Sequence, residues 1–325
     1  MKEFLARILL LFAAVALQVA AEPVTEWEVT WTDGRPRDPG VDSTGKVWFC
    51  GQGGGYLGRL DPGTGKFDKF DLGAEKGPHN LIIDARDQVW YAGNTTGHIG
   101  RLDPATGRIT RFPMPDAAAQ DPHTLIWDRD GNIWFTVQHG NFLGHLNVST
   151  GKVRLVPVRS PHARPYGIVV DAGNRPWAVL FGSNRLATVD PATLAMQEIS
   201  LPRSDARPRR LVVTTQGDVW YGDYAGGVLG RYRPADGSFK EWPLPRGTGA
   251  LPYGMAVDDQ DRIWLAETGV SPNRLVEFDP ATEKFLASFS IPSGGGVIRH
   301  LIFDPATRAI WFGADTGTIG RLLVP

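Results

Sequence analysis

Arg37, His79, His123, Tyr166, Arg209, Tyr253 and Arg299 recur at nearly equal intervals along the chain. Each follows the proline, or its equivalent, that opens a short apolar run. These residue types do chemistry on oxygen-rich ligands. A guanidinium grips a carboxylate through two parallel hydrogen bonds. An imidazole changes charge near neutral pH, so it serves as a base, an acid or a metal ligand. A phenol serves as a base only where neighbouring cations lower its pKa strongly. The seventh member is open to a choice of one residue. Counting back from Trp311 selects His300, whereas matching the run 301–304 to 81–84 selects Arg299, the preferred choice because turns absorb insertions more readily than strands. A second series lies three or four residues after a repeated tryptophan: Gln52, Asn94, Gln138, Phe181, Asp223 or Tyr224, Glu267 and Asp315.

Three cations, two imidazoles and two phenols gathered over one opening fit a small anionic or carbonyl-bearing ligand. Arg37, Tyr166, Arg209 and Arg299 are the candidate binding residues. His79 and His123, from neighbouring repeats, are candidates for a general base and its helper, with Tyr253 as the fallback base. Elimination next to a carbonyl needs such a base for the α-proton, and a positive centre for the developing enolate charge. Glu267 and Asp315 are the candidate metal ligands, since carboxylate oxygens suit Mg²⁺. The two histidines are a weaker metal signal, because only Gln138 or His139 offers a third ligand nearby. Neither Ser nor Cys occupies these places, which argues against an acyl-enzyme route. The plain alternative is that polar residues at a wet channel mouth are simply solvated.

These residues need elements that bring them together, and the chain supplies one element seven times. Tryptophan recurs at 48, 90, 134, 177, 220, 264 and 311, a period of 42 to 47 residues. One copy contains four strand-length runs, 81–84, 89–92, 98–103 and 109–112, rich in β-branched and aromatic residues. The last two are joined by Asp103-Pro104-Ala105-Thr106-Gly107. In that turn Asp accepts bonds from the turning backbone, Pro fixes φ and Gly tolerates positive φ. Four antiparallel strands at this period form one propeller blade, so the fold expected is an all-β, seven-bladed β-propeller. The seventh copy ends before a fourth strand, and an unmatched strand at 25–31 precedes the first copy. That strand is expected to close the last blade and remove a dangling edge. Dense Gly and Pro, with no extended helical period, argue against an α-solenoid.

Residues 1–21 read as a secretory signal peptide, with a charged start, an apolar run at 8–19 and small residues at 19–21. The propeller is assigned to 22–325, and the mature chain is expected to be exported, periplasmic or secreted, without a membrane span and monomeric. The chain has 34 basic and 35 acidic residues, which gives no basic field for nucleic acid. The single Cys50 has no internal disulfide partner and reads as buried apolar filler. A small molecule at the channel mouth is the expected partner, with a protein partner as the alternative.

The run Ile133-Trp134-Phe135-Thr136, the repeated Ile-Gly-Arg-Leu at 99–102 and 319–322, and the Pro-His and Pro-Tyr-Gly openings resemble the streptogramin B (virginiamycin B) lyase family. The resemblance spans all seven repeats. It implies a seven-bladed propeller that linearises a cyclic depsipeptide by metal-assisted elimination with Mg²⁺. It also implies histidines opening the inner strands of the last two blades and acidic residues ending the second strands there. The acidic places fall on Glu267 and Asp315. The histidine places fall on Tyr253 and Arg299, a departure from the family pattern. Three readings remain open: a lyase opening an ester or lactone of a small metabolite, a propeller that binds a small anionic ligand or a partner protein without chemistry, and a propeller lactone hydrolase.

Overall fold

Asp42 and Trp48 show how one repeat becomes one blade. The Asp42 carboxylate accepts the Thr44 and Lys46 amides at 3.0 Å, closing the turn after the inner strand, and its other oxygen accepts the Trp48 indole N–H at 2.9 Å. The same bond joins Trp90 to Asp84, Trp177 to Asp171 and Trp264 to Asp258. The tryptophan is thus held by the turn that precedes its strand, and its indole is buried between blades. The glycine of Gly-Arg-Leu is a close-approach position. A Cβ on Gly58 would lie 2.1 Å from the Phe49 ring, and one on Gly100 would lie 2.1 Å from the Tyr91 ring. In the outer hairpin of that repeat, Gly107 adopts φ +71°, and Asp103 accepts from the Ala105 amide at 3.0 Å.

A computed structural model describes residues 23–31, 34–73 and 77–324. It contains seven four-stranded antiparallel sheets, six of them running in chain order from an inner to an outer strand. The expected leader over 1–21 lies outside these residues. The inner strands are Pro36–Val41, Pro78–Ile83, Pro122–Trp127, Pro165–Val170, Pro208–Val213, Pro252–Val257 and Ile298–Asp304. The seventh sheet draws its outer strand from Val24–Glu28, which pairs with Thr318–Leu323. The closure expected from the unmatched N-terminal run is therefore present, over a slightly shorter range. Trp27 stacks on Trp311 at 5.6 Å, and Glu26 accepts from the Ser293 amide at 2.7 Å. Cys50 is fully buried on the strand Val47–Gly51. No helix among the described residues is long and apolar enough to cross a membrane.

Every inner strand carries a β-bulge near its start. In the second blade Pro78 pairs with Gly93 and Leu81 with Tyr91, so His79 and Asn80 together oppose one residue. Equivalent slips occur at 122/125, 165/168, 208/211, 252/255 and 298/301, and at 37/40 in the first blade. A bulge leaves an extra residue outside the ladder and re-aims its side chain. Here it brings two successive residues of each blade to the axis, the second being Gly167 in the fourth blade and Gly254 in the sixth. The exposed amides are satisfied locally: Leu125 donates to Asn80 Oδ1 at 2.8 Å, and Thr124 to Thr136 Oγ1 at 3.2 Å.

Candidate functional site

The first of the two bulge positions in six blades, and Arg37 just before the slip in the first, make the expected ring. Its members meet. The His79 and His123 rings lie 3.6 Å apart between centroids, and His123 lies 4.1 Å from Tyr166. The Tyr166 and Tyr253 hydroxyls hydrogen-bond across the channel. Arg37, His79, His123, Tyr166 and Tyr253 are all buried. The ring is therefore a packed polar plug rather than the solvated rim that an open mouth would give. Arg209 rests among aromatic faces, its guanidinium carbon 4.1 Å from the Phe181 ring, 4.0 Å from Tyr224 and 4.4 Å from Tyr253. These are cation–π distances. Arg299 pairs with Asp315, which also receives Arg35 at 3.4 Å.

The second position in each bulge builds a deeper layer that strand alternation does not predict. Asp38 is its centre. Its carboxylate receives Arg37 Nε at 3.1 Å, Arg210 Nη2 at 3.3 Å and Asn80 Nδ2 at 3.0 Å. Arg210 crosses the channel, donating also to Thr124 Oγ1 at 3.1 Å and to the Arg299 carbonyl at 3.0 Å. His300 belongs to this layer. The choice between Arg299 and His300 is thus not exclusive: the bulge puts Arg299 in the upper layer and His300 in the lower one. Sequence reasoning missed Asp38, Asn80, Thr124 and Arg210. The signal available was the constant three-residue step from the opening proline to the next apolar residue, too long by one for simple alternation.

The electrostatics follow from burial. Burial alone would raise the Asp38 carboxyl, but Arg37 and Arg210 outweigh it and hold the carboxyl well below the usual carboxylate range. Burial lowers the His79 imidazole far below its ordinary value, with Arg37 and Arg210 adding to the effect. It lowers His123 similarly, helped by His79 and Arg210. Both imidazoles are neutral at pH 7 and weakly basic. Burial pushes the Tyr166 phenol up to about 12, with Tyr253 next in effect. For Tyr253 burial also raises, yet Arg209 and the hydrogen bond to Tyr166 prevail and the phenol is lowered. Among the candidate bases, Tyr253 is the one whose acidity is tuned toward neutrality.

The expected metal ligands do different work. Glu267 is buried, accepts the Arg246 amide at 3.3 Å, and has its pKa raised by burial. Asp315 is held by two arginines. A divalent cation needs several converging oxygens, and no group of three or more His, Cys, Asp or Glu that could hold one occurs among the described residues. One carboxylate committed to a loop amide and another committed to two guanidinium groups do not fit a Mg²⁺ centre. His139, the suggested third ligand, is exposed and pairs with Asp121 at 2.8 Å. Of the other places in the second series, Gln52 accepts from Arg37 at 2.8 Å and Asn94 donates to the Pro122 carbonyl at 3.0 Å. Asp223 pins the Arg207 amide at 2.8 Å.

Several buried nitrogens of the plug have no hydrogen-bond partner among the described residues: Arg37 Nη2, His79 Nδ1, His123 Nε2 and Arg209 Nε. A groove of about 520 Å³ opens beside the ring, next to Arg35 and Asp315.

A model of the virginiamycin B lyase family matches residues 12–275. No curated protein matches the chain. A streptogramin B lyase structure is similar over 92% of this chain and 96% of its own, at 21% identity and a TM-score of 0.82. A catalytically inactive virginiamycin B lyase from Staphylococcus aureus with quinupristin is similar over 93% and 99%, at 21% identity and 0.83. The extracellular domain of a one-component system from B. thetaiotaomicron is similar over 91% of this chain and 39% of its own, at 18% identity and 0.72.

Proposed function

The chain belongs to the virginiamycin B lyase family, and from that premise we propose that its polar plug binds a small carbonyl- or carboxylate-bearing molecule and opens an ester or lactone in it by elimination. One observation carries the reading: unpartnered buried nitrogens on Arg37, His79, His123 and Arg209 converge at one end of the channel. Buried polar groups without partners are costly; carbonyl or carboxylate oxygens satisfy the guanidinium nitrogens and whichever imidazole nitrogen carries the proton. Arg209 and Arg299 hold the carbonyl. Tyr253, its phenol lowered by Arg209, takes the proton from the carbon next to that carbonyl. The electron pair left behind becomes a carbon–carbon double bond as the ester C–O bond breaks, and the carboxylate leaves with the bonding electrons. Positive charge fixed beside the forming enolate is the main source of acceleration in such a step. His79 and His123, both neutral, hold the carbonyl end of the ligand by hydrogen bonds.

The test separates binding from chemistry. Tyr253→Phe is expected to keep binding of model depsipeptides and lactones within about threefold while turnover falls by 100-fold or more. Arg209→Gln is expected to weaken binding by at least about tenfold. Wild-type turnover in Tyr253→Phe sinks the assignment of the base. Wild-type binding without any turnover favours a second reading, a ligand-sensing propeller without chemistry, which the tight packing of His79, His123 and Tyr166 favours.

We also propose that the chain acts outside the cytoplasm. The apolar run at 8–19 and the similarity to an extracellular domain support this reading. N-terminal sequencing of the exported fraction is expected to find a new terminus near Ala21. Protein starting at Met1 and confined to the cytoplasm sinks it.

A further inference from the structure

The channel has a second end. A cavity of about 530 Å³ runs along the far halves of the inner strands, walled by Val41, Ile83, Trp127, Val257 and Phe303. Its floor is the lower layer of the plug: Asn80, Thr124, Arg210 and His300. Cavities of this size hold small organic ligands. The wall is apolar and the floor is polar, so an occupant needs an apolar body and a polar head.

Charge decides the head group. Arg37 and Arg210 are buried and share one carboxylate, that of Asp38. Two guanidinium groups on one carboxylate leave a positive charge uncompensated in the interior, a state proteins pair or avoid. The Tyr166 and Tyr253 hydroxyls, which also act on Arg37, bond each other on the mouth side. Arg210 commits three N–H groups, to Asp38, Thr124 and the Arg299 carbonyl. A guanidinium carries five, so two remain. His300 lines the same floor, and its Nδ1 is buried without a hydrogen-bond partner among the described residues. Asp38 is already filled by Arg37, Arg210 and Asn80, which screens it from an incoming anion.

We propose that this funnel is a second binding site, at the opposite end of the channel from the polar mouth, for a small amphipathic carboxylate such as an aliphatic or aryl-alkyl acid. The carboxylate sits against Arg210 and His300, and the apolar body lies along the ring of inner-strand side chains. The site is independent of the chemistry proposed at the mouth.

Calorimetry on the full chain with dodecanoate, dodecanol and acetate tests the proposal. Dodecanoate is expected to bind at one site, at least about tenfold more tightly than either dodecanol or acetate. The alcohol lacks the charge and acetate lacks the body. Arg210→Met is expected to erase the preference for acid over alcohol. Because that variant also disturbs Asp38, a diazirine-bearing dodecanoate supplies a check on the unaltered chain: it is expected to label peptides containing Trp127 or Phe303. Equal affinity for acid and alcohol, or no binding of dodecanoate, overturns the proposal. Labelling confined to Phe181 or Tyr224, with binding lost in Arg209→Gln, places the acid at the mouth, which overturns the second site and leaves the proposed function standing.

Discussion

Lowering the pH from 7 to 5 is expected to remove up to about 6 kcal/mol of stability, because three imidazoles of the channel refuse the protons that the unfolded chain accepts. His79 and His123 are lowered far below their ordinary values, first by burial, and then His79 by Arg37 and Arg210 and His123 by His79 and Arg210. His300 is lowered to about 3 by burial and then by Arg210. The folded pKa lies below the unfolded one in each case. Stability from this source is therefore complete above about pH 6.5 and is lost as the pH falls toward the folded values. At about 1.4 kcal/mol per pH unit, each imidazole contributes about 2 kcal/mol over this interval. Asp38 adds nothing here. Its carboxyl is lowered, so its contribution is present at pH 5 and fails only in stronger acid. Thermal unfolding followed by circular dichroism is expected to show a fall of roughly 10 °C between pH 7 and 5. His79→Gln is expected to make that slope about a third shallower. A fall of less than about 3 °C in the unaltered chain means that these histidines are not held neutral.

Deleting residues 23–31 is expected to cost as much or more. The deletion strips the outer strand from the seventh blade, together with its pairing from Val24 opposite Leu322 to Glu28 opposite Thr318. It also removes Trp27 from Trp311 and leaves the edge Thr318–Leu323 open. Loss of a large packed aromatic and several ladder bonds amounts to roughly 5 kcal/mol or more, and an open edge invites pairing with other chains. The melting midpoint is expected to drop by roughly 10–20 °C, with oligomers visible on gel filtration. A synthetic peptide of residues 23–31 added in excess is expected to restore both. A truncated chain that melts like the intact one shows that the strand does not close the ring.

The blade was legible because its marks are local. Asp42 and Trp48 stand six residues apart, and that spacing is set by a turn and a bond that no other part of the chain influences. Closure was legible because the last copy lacks a strand that Val24–Glu28 supplies. The upper layer of the channel followed from the prolines that open the inner strands. The lower layer did not. Strict alternation allows one inward residue where the bulge puts His79 and Asn80 side by side. Long-range pairings were hidden too. Arg210 reaches Asp38 across 172 residues of sequence, and nothing near either residue announces the other. The surroundings of Glu267 were hidden for a related reason: position brings it to the end of its strand, but only the fold sets the Arg246 amide against one of its oxygens.

The bulges also divide labour along each inner strand. Residues beyond the slip pair in the sheet, pack between blades and wall the apolar cavity. His79-Asn80, Tyr253-Gly254 and Arg299-His300 instead stand where the ladder has let go, and so does Asp38-Pro39 in the first blade. The channel is thus spelled by seven two-letter words set into a common grammar. Changing a word alters the lining of the channel, while the grammar goes on building the same blade.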